Sequence, residues 1–204
     1  MFMVCSFDGA NMPEQLFLPG FERGLAMDFL FFALLIGAEN ASQIVQLRER
    51  LRVENGLRGP RIAANLLHIT LHGIGAYDGL PKSVVERAKQ AGATISAKPF
   101  DVVFDRAMSF NRKRDGRPLA LCAGNEVALL AFHRLLGRAM KNVGFRGITS
   151  HFKPHMTLLY SDRMLIARSI EAVRWTVRDF VLVHSLRGRG QSEYIHLARW
   201  PLRG

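Results

Sequence analysis

One short phrase occurs twice in this 204-residue chain. Leu67–Leu71 is LHITL and Pro154–Leu158 is PHMTL, so a His-x-Thr-Leu pattern is repeated. Both copies lie in short apolar runs of strand-forming residues, which predicts that each is a β-strand. Side chains two positions apart on a strand point to the same face, about 6.5–7 Å apart. Each copy therefore presents an imidazole beside a hydroxyl, and two facing pairs suit acid–base chemistry on a phosphate ester.

The two histidines of the repeat, His68 and His155, are candidate catalytic residues. Because histidine titrates near about pH 6.5, one ring can accept a proton while the other donates one. Thr70 and Thr157 are candidate substrate-binding residues, whose hydroxyls would hold the non-bridging oxygens of a phosphate. Such a site requires no metal, and we expect no cofactor.

A metal site is the first alternative. His68 and His72 are spaced i, i+4, and so are His151 and His155. On a helix this spacing would place two ligands on one ion, but on a strand the pair lies about 13 Å apart. Since both copies predict strands and no acidic or cysteine cluster accompanies them, we expect no metal ligands here.

Two further alternatives remain. A single histidine in an apolar strand is usually a core residue, and we apply this interpretation to His133, His184 and His196. This interpretation fits His68 and His155 poorly, because it does not explain why the same threonine and leucine follow both histidines. A serine or cysteine nucleophile has no support, since there is no Gly-x-Ser-x-Gly elbow and Cys122 has no histidine close in sequence. A phosphate-binding Walker loop is absent as well.

Composition limits the class of protein. A net charge of +11 favours polyanionic partners such as RNA, although a basic protein kept soluble by its charge remains an alternative. The two cysteines are too few for a disulfide framework and indicate a reducing cytoplasm. Phe29–Ala38 is the most apolar stretch, but it is about half the length of a membrane span, so we predict a buried strand and no membrane association. No feature of the sequence indicates an obligate protein partner.

The order of predicted strands and helices suits an α+β fold, and the repeated motif suggests two similar lobes about a pseudo-two-fold axis. We expect residues 1–26 to be an N-terminal extension and residues 27–202 to be a single bilobal domain. Asn40, Pro81 and Asn125 are predicted to begin the three helices, and Gly92 is predicted to end the second. The predicted strands are Phe29–Ile36, Leu66–Ile74, Phe100–Phe104, Leu119–Ala123, Lys153–Tyr160, Val177–Ser185 and Tyr194–Trp200. Basic turns are predicted at Asn111–Arg117 and Arg187–Gly190.

These motifs resemble the two-histidine (2H) phosphoesterase superfamily, in particular its bacterial 2′-5′ RNA ligase and RNA 2′,3′-cyclic phosphodiesterase branch. Four stretches match in order, over about residues 27–202: Asp28–Ile36, Leu67–Gly75, Phe152–Leu158, and Val181–Ser185 with Tyr194–Leu202. The resemblance implies that His68 and His155 are catalytic and that Thr70 and Thr157 bind phosphate. It also implies that each lobe has an antiparallel-rich sheet flanked by helices, with the active cleft between the two lobes.

The chain departs from the family pattern after the second motif threonine. Family members often have an arginine three residues after the second motif threonine, where this chain has Tyr160. A tyrosine hydroxyl donates a hydrogen bond but brings no positive charge. Lys153 is expected to share a strand face with His155 and to supply that charge, so both Lys153 and Tyr160 are candidate substrate-binding residues.

The resemblance implies a cytoplasmic, metal-independent phosphodiesterase that opens RNA or nucleoside 2′,3′-cyclic phosphates to 2′-phosphates, with 2′-5′ RNA ligation as the reverse reaction. Its expected partners are RNA ends or nucleotides that contain the cyclic phosphate. Two alternatives stay open. One is a non-catalytic module that binds a nucleotide or an RNA end. The other is a hydrolase of another small cyclic phosphate, such as an ADP-ribose cyclic phosphate.

Overall fold

The computed structural model describes residues 27–111, 116–123, 126–187 and 193–204. The strands are Met27–Leu35 (β1), His68–Tyr77 (β2), Phe100–Ser109 (β3), Arg117–Cys122 (β4), His155–Ser161 (β5), Arg168–Val177 (β6), Asp179–Arg187 (β7) and Glu193–Pro201 (β8). The helices are Ala38–Glu54 (α1), Lys82–Ala93 (α2) and Val127–Asn142 (α3), and a 3₁₀ turn occupies Ala64–Leu66.

The strands form two four-stranded antiparallel sheets. The first has the order β2-β1-β7-β8 and the second the order β5-β4-β3-β6. The two strands that contain the repeated motif, β2 and β5, each lie at one edge of their sheet, and they contact each other between the sheets. The predicted α+β class with antiparallel sheets and flanking helices is confirmed.

The two sheets share one hydrophobic core. Alternate β1 residues, including Leu30 and Phe32, join Phe104 of β3 in a single cluster with the apolar faces of the helices. A fully buried leucine or phenylalanine side chain stabilises the fold by about 1.5–3 kcal/mol relative to an exposed one. β1 is apolar on both faces because its other residues also pack. Phe31 and Ala33 belong to a separate, smaller cluster on the opposite face of the first sheet.

The second sheet has a matching small cluster, formed by Phe110, Ala120 and Cys122. Because β4 lies next to β5 as β1 lies next to β2, the two small clusters occupy equivalent positions in the two sheets. The pseudo-two-fold relation predicted from the motif is therefore visible in strand order and packing.

Three elements differ from their predicted form. α1 begins at Ala38 with Gly37 as its N-cap, so the predicted N-cap at Asn40 is wrong. The Asn40 side chain instead donates to the carbonyl of Arg174, 3.1 Å away on β6. α2 extends through Gly92, which was predicted to end it, and β6 was not predicted at all.

Several predictions lie outside the described residues. These are the N-terminal extension at 1–26, the N-cap Asn125, most of the first basic turn and residues 188–190 of the second. Their flanking strands are described: β3 pairs with β4, and β7 pairs with β8, as antiparallel neighbours. Within the described ranges, no helix combines the length and apolarity needed to cross a membrane.

Candidate active site

His68 is the first residue of β2, immediately after the 3₁₀ turn and Leu67. Its Nδ1 lies 2.8 Å from the carbonyl oxygen of Leu66. A carbonyl only accepts hydrogen bonds, so Nδ1 must be the protonated donor. Nε2 is therefore the atom that can gain or lose a proton, and it lies 3.1 Å from the Thr70 hydroxyl.

His155 has the same relation to its own chain. It is the first residue of β5, and its Nδ1 lies 2.8 Å from the carbonyl oxygen of Lys153. In both motifs the carbonyl belongs to the residue two positions earlier, which fixes the same tautomer in both rings. The preceding Pro154 helps, because the residue before a proline is held in an extended conformation.

The threonines also occupy equivalent places. Thr70 lies opposite Ala33 of β1, and Thr157 lies opposite Ala120 of β4. Opposed residues of an antiparallel pair share a face, so both threonines point toward the small clusters rather than the main core. Each histidine and threonine is half-buried, while the residue between them is fully buried. Imidazole and hydroxyl thus share one surface in each motif.

A β-bulge follows each threonine. The register between β1 and β2 skips Leu71, and the register between β4 and β5 skips Leu158. A bulge inserts one residue and reverses the alternation of faces beyond it. As a result, half-buried Tyr160 returns to the face of Thr157 although it is three residues away.

The bulge on β2 also explains why His68 and His72 do not act together. His72 is 2 % exposed and its Nε2 donates to the carbonyl of His133 in α3, on the core side. His151 is exposed, and its backbone N–H donates to the Thr149 hydroxyl, 3.0 Å away. Among the described residues, no three His, Cys, Asp or Glu side chains converge as a metal site would require.

The electrostatic surroundings of His155 are unusual. Burial lowers the pKa of His155, and the positive charge of Lys153 lowers it further, while the bond to the Lys153 carbonyl acts in the opposite direction. The Lys153 Nζ lies 4.8 Å from the Phe110 ring centroid, and the His155 ring packs edge-on against the same phenylalanine at 5.2 Å. Lys153 and His155 therefore approach the site from the same side.

Aromatic neighbours of the histidines were not predicted from the sequence. The rings of Phe31 and Tyr194 each lie 5.3 Å from the His68 ring. Tyr194 comes from β8, at the far edge of the sheet, so its side chain reaches across the sheet face. The sequence around Phe31 and Tyr194 does not indicate this role, because their positions beside His68 depend on pairing between strands that are distant in sequence.

A basic side chain in the same row as His155 was also not predicted from the sequence. Arg106 of β3 lies opposite Cys122 of β4, which in turn lies opposite His155. The three residues form one cross-strand row on the face of the small cluster. Burial raises the pKa of the Cys122 thiol to about 11, although Lys153 and Arg106 act to lower it. The thiol is therefore protonated at neutral pH and is not a nucleophile there.

The remaining histidines differ from one another. As predicted, His133 is a buried core residue. His184 is half-buried and lies 2.8 Å from the carboxylate of Asp28. The core interpretation of His196 is wrong, because its side chain is exposed on β8.

Comparison with known proteins agrees with this geometry. Residues 37–189, about three quarters of the chain, match the model of the 2′-5′ RNA ligase superfamily. The chain belongs to this superfamily, a group of two-histidine phosphoesterases, and the type of activity is that of a phosphoesterase or RNA ligase. No curated protein sequence matches the chain significantly.

Solved structures of similar fold include one E. coli protein in several states. E. coli LigT in complex with ATP is 26% identical, with a TM-score of 0.69, and the match covers 87% of this chain and 99% of LigT. LigT in its apo form is 25% identical, with a TM-score of 0.67 and coverage of 88% and 100%. A protein from Thermus thermophilus is 21% identical, with a TM-score of 0.70 and coverage of 86% and 98%, which shows the shared fold.

Proposed function

We propose that the protein is a metal-independent phosphodiesterase that opens 2′,3′-cyclic phosphates of RNA ends or nucleotides to 2′-phosphates. The observation that supports this most is the identical hydrogen bond at His68 and His155. In both rings a backbone carbonyl two residues earlier holds Nδ1 at 2.8 Å, which leaves Nε2 for proton transfer. A module that only binds a nucleotide does not need two titratable groups in matched tautomers.

In the proposed reaction His155 is the general base. Its lowered pKa keeps the ring neutral at physiological pH, so Nε2 can accept a proton from water as the water oxygen attacks phosphorus. The bond between phosphorus and the ribose 3′ oxygen breaks, and the phosphate remains on the 2′ oxygen. No covalent intermediate with the protein forms.

His68 is the general acid in this proposal. When its ring is charged, Nε2–H donates to the Thr70 oxygen at 3.1 Å, and the threonine hydroxyl keeps its own proton for a phosphate oxygen. Proton transfer from Nε2 to the departing 3′ oxygen then completes the reaction. In the ligation direction the two histidines exchange roles.

The other candidate residues stabilise charge on the phosphate. Thr70 and Thr157 hold the non-bridging oxygens, where negative charge grows in the transition state. Lys153 supplies the positive charge that Tyr160 lacks, and the tyrosine hydroxyl adds a donor from the same face. E. coli LigT, a structural neighbour at 26% identity, has been solved with ATP, which supports a nucleotide ligand for this chain too. The net charge of +11 favours an RNA end among such ligands.

The experiment is hydrolysis of 2′,3′-cyclic AMP and of a short RNA that ends in a cyclic phosphate, with EDTA present. We expect turnover to a 2′-phosphate, identified by phosphorus NMR. His68→Ala and His155→Ala should each lower kcat by at least about 100-fold, the usual contribution of a general acid or base. His151→Ala is the matched control, since this histidine is exposed and outside the motif, and it should leave kcat unchanged.

Three outcomes would contradict the proposal. They are turnover that survives in both alanine variants, a 3′-phosphate product, and no turnover of either substrate. The last result, together with intact binding of 2′-AMP, would indicate a non-catalytic nucleotide-binding module.

A further inference from the structure

At each bulge that follows a motif threonine, the backbone carbonyl of the bulged residue accepts a hydrogen bond from a group outside the paired strand. On β5, the carbonyl of Leu158 accepts a hydrogen bond from the backbone N–H of Ile62, 2.9 Å away. On β2, the carbonyl of Leu71 accepts a hydrogen bond from the imidazole of His133 in α3. A bulge disrupts the ladder locally, and an unpaired buried carbonyl would be costly. The second sheet uses a backbone donor for this purpose, whereas the first uses a side chain.

The contact between β2 and α3 is reciprocal. The His72 Nε2–H donates to the backbone carbonyl of His133 at 2.9 Å, and the two imidazoles stack with centroids 3.9 Å apart. Gly137 makes room for this stack, since a Cβ there would lie 3.2 Å from the His72 ring. Each histidine thus bonds to the backbone of the other's element.

The stack continues toward the second motif. The Phe152 ring lies 4.2 Å from the His133 ring at an interplanar angle of only 4°. Phe152 is three residues before His155, in the segment that leads into β5. Three stacked rings therefore connect the bulge beside Thr70, helix α3 and the entry to His155 through the interior.

Packing alone does not require these histidines. The position on β5 equivalent to His72, directly after the bulge, is Leu159, which is fully buried. Burial lowers the pKa of His72, and burial together with the neighbouring His72 lowers the pKa of His133 to about 3. The nearby charges of Lys141 and Arg134 on α3 act in the same direction. Both rings are neutral donors at physiological pH, and a buried imidazole is tolerated there only because it is hydrogen-bonded.

We propose that His133 is a positioning residue for the reaction: by holding the Leu71 carbonyl and stacking between His72 and Phe152, it fixes Thr70 and His68 relative to His155. This inference rests on the proposed function, because a defined spacing between the two motifs matters most for a transition state that contacts both. A displacement of about 1 Å at an active site can lower the rate by about 100-fold without loss of substrate binding.

The test compares three variants. His133→Phe keeps an aromatic ring for the stack but removes the donor to Leu71, whereas His133→Gln keeps an amide donor. His184→Gln is the matched control, since His184 is half-buried and bonded to Asp28 away from the stack. We expect His133→Phe to lower kcat by about 10- to 100-fold with KM unchanged. His133→Gln should recover part of this loss, and His184→Gln should match the wild type. Rates are compared at a temperature at which circular dichroism shows that every variant is fully folded.

A second readout does not depend on turnover. The ring ¹H–¹³C NMR resonances of His68 and His155 should shift in His133→Phe and stay at wild-type positions in His184→Gln. If His133→Phe does not fold, His72→Leu, which copies the equivalent Leu159, is measured in the same two ways. Unchanged kcat with unchanged resonances in a folded variant would overturn the proposal. A wild type that opens no cyclic phosphate would instead overturn the proposed function, and the resonances alone would then decide whether His133 positions the site.

Discussion

At the scale of single residues, the two histidines differ in their surroundings and not in how they are held. In both rings Nδ1 donates a hydrogen bond to the backbone carbonyl of the residue two positions earlier. The ammonium group of Lys153 acts on the pKa of His155 and lowers it. The repeated motif predicts an imidazole and a hydroxyl on one face of each strand, and the structure shows that arrangement because a strand fixes their spacing. The tautomers of the two rings and the effect of Lys153 on the pKa of His155 were not predictable, since they depend on backbone carbonyls and on side-chain positions in the folded protein.

Lys153→Met is expected to raise the pKa of His155, because it removes a positive charge that disfavours the imidazolium. In its proposed role as general base, His155 would then be protonated over a wider pH range, and the acid limb of the kcat/KM profile would move to higher pH. The measurement is kcat/KM against pH for both proteins. Arg106→Met is the matched control, since it removes a cation from the same face that is not a cause of the His155 shift.

A movement of the alkaline limb instead of the acid limb in Lys153→Met would show that His155 is the general acid. No movement of either limb would show that Lys153 does not set the charge state of the reacting groups.

At the scale of elements, the motif strands and the three helices followed from apolar periodicity, but the bulges and β6 did not. A bulge is one unpaired residue, which only the pairing strand reveals, and both bulges fall after the motif threonine. β6 was missed because half of the residues in Arg168–Val177 are polar and the strand lies at a sheet edge. The contact of His72 with His133 was equally invisible, because it joins residues distant in sequence.

Gly137→Ala tests the close approach of α3 to β2. In an exposed helix this change stabilises by about 1 kcal/mol. Here the new Cβ would lie 3.2 Å from both the His72 ring and Ile148, and overpacking of this kind costs about 1–3 kcal/mol. We therefore expect the free energy of unfolding to fall by about 1 kcal/mol, measured by urea denaturation. Arg138→Ala is the control, since this residue is exposed and next to Gly137 in the same helix, and the change should be close to neutral. A clear stabilisation by Gly137→Ala would contradict the packing described.

At the scale of the whole molecule, two antiparallel sheets share one core and bring their motif strands into contact. The sequence predicted this pseudo-two-fold arrangement from the motif alone, since no other segment is visibly repeated. The symmetry extends further in the structure, to the alanines opposite each threonine and to the bulges. It is broken around the two histidines: His68 lies near Phe31 and Tyr194, and His155 lies near Lys153 and Phe110.

In the proposed reaction, His155 accepts a proton from water while His68 donates one to the leaving oxygen. The most direct test uses a nucleoside 2′,3′-cyclic phosphate whose 3′ oxygen is replaced by sulfur, because a thiolate leaves without protonation. Rates are compared with those on the oxygen substrate for wild type, His68→Asn and His155→Asn. We expect the sulfur substrate to restore most of the activity lost by His68→Asn and little of that lost by His155→Asn. Equal loss in both variants on both substrates, or restoration of His155→Asn alone, would contradict the assignment of acid and base.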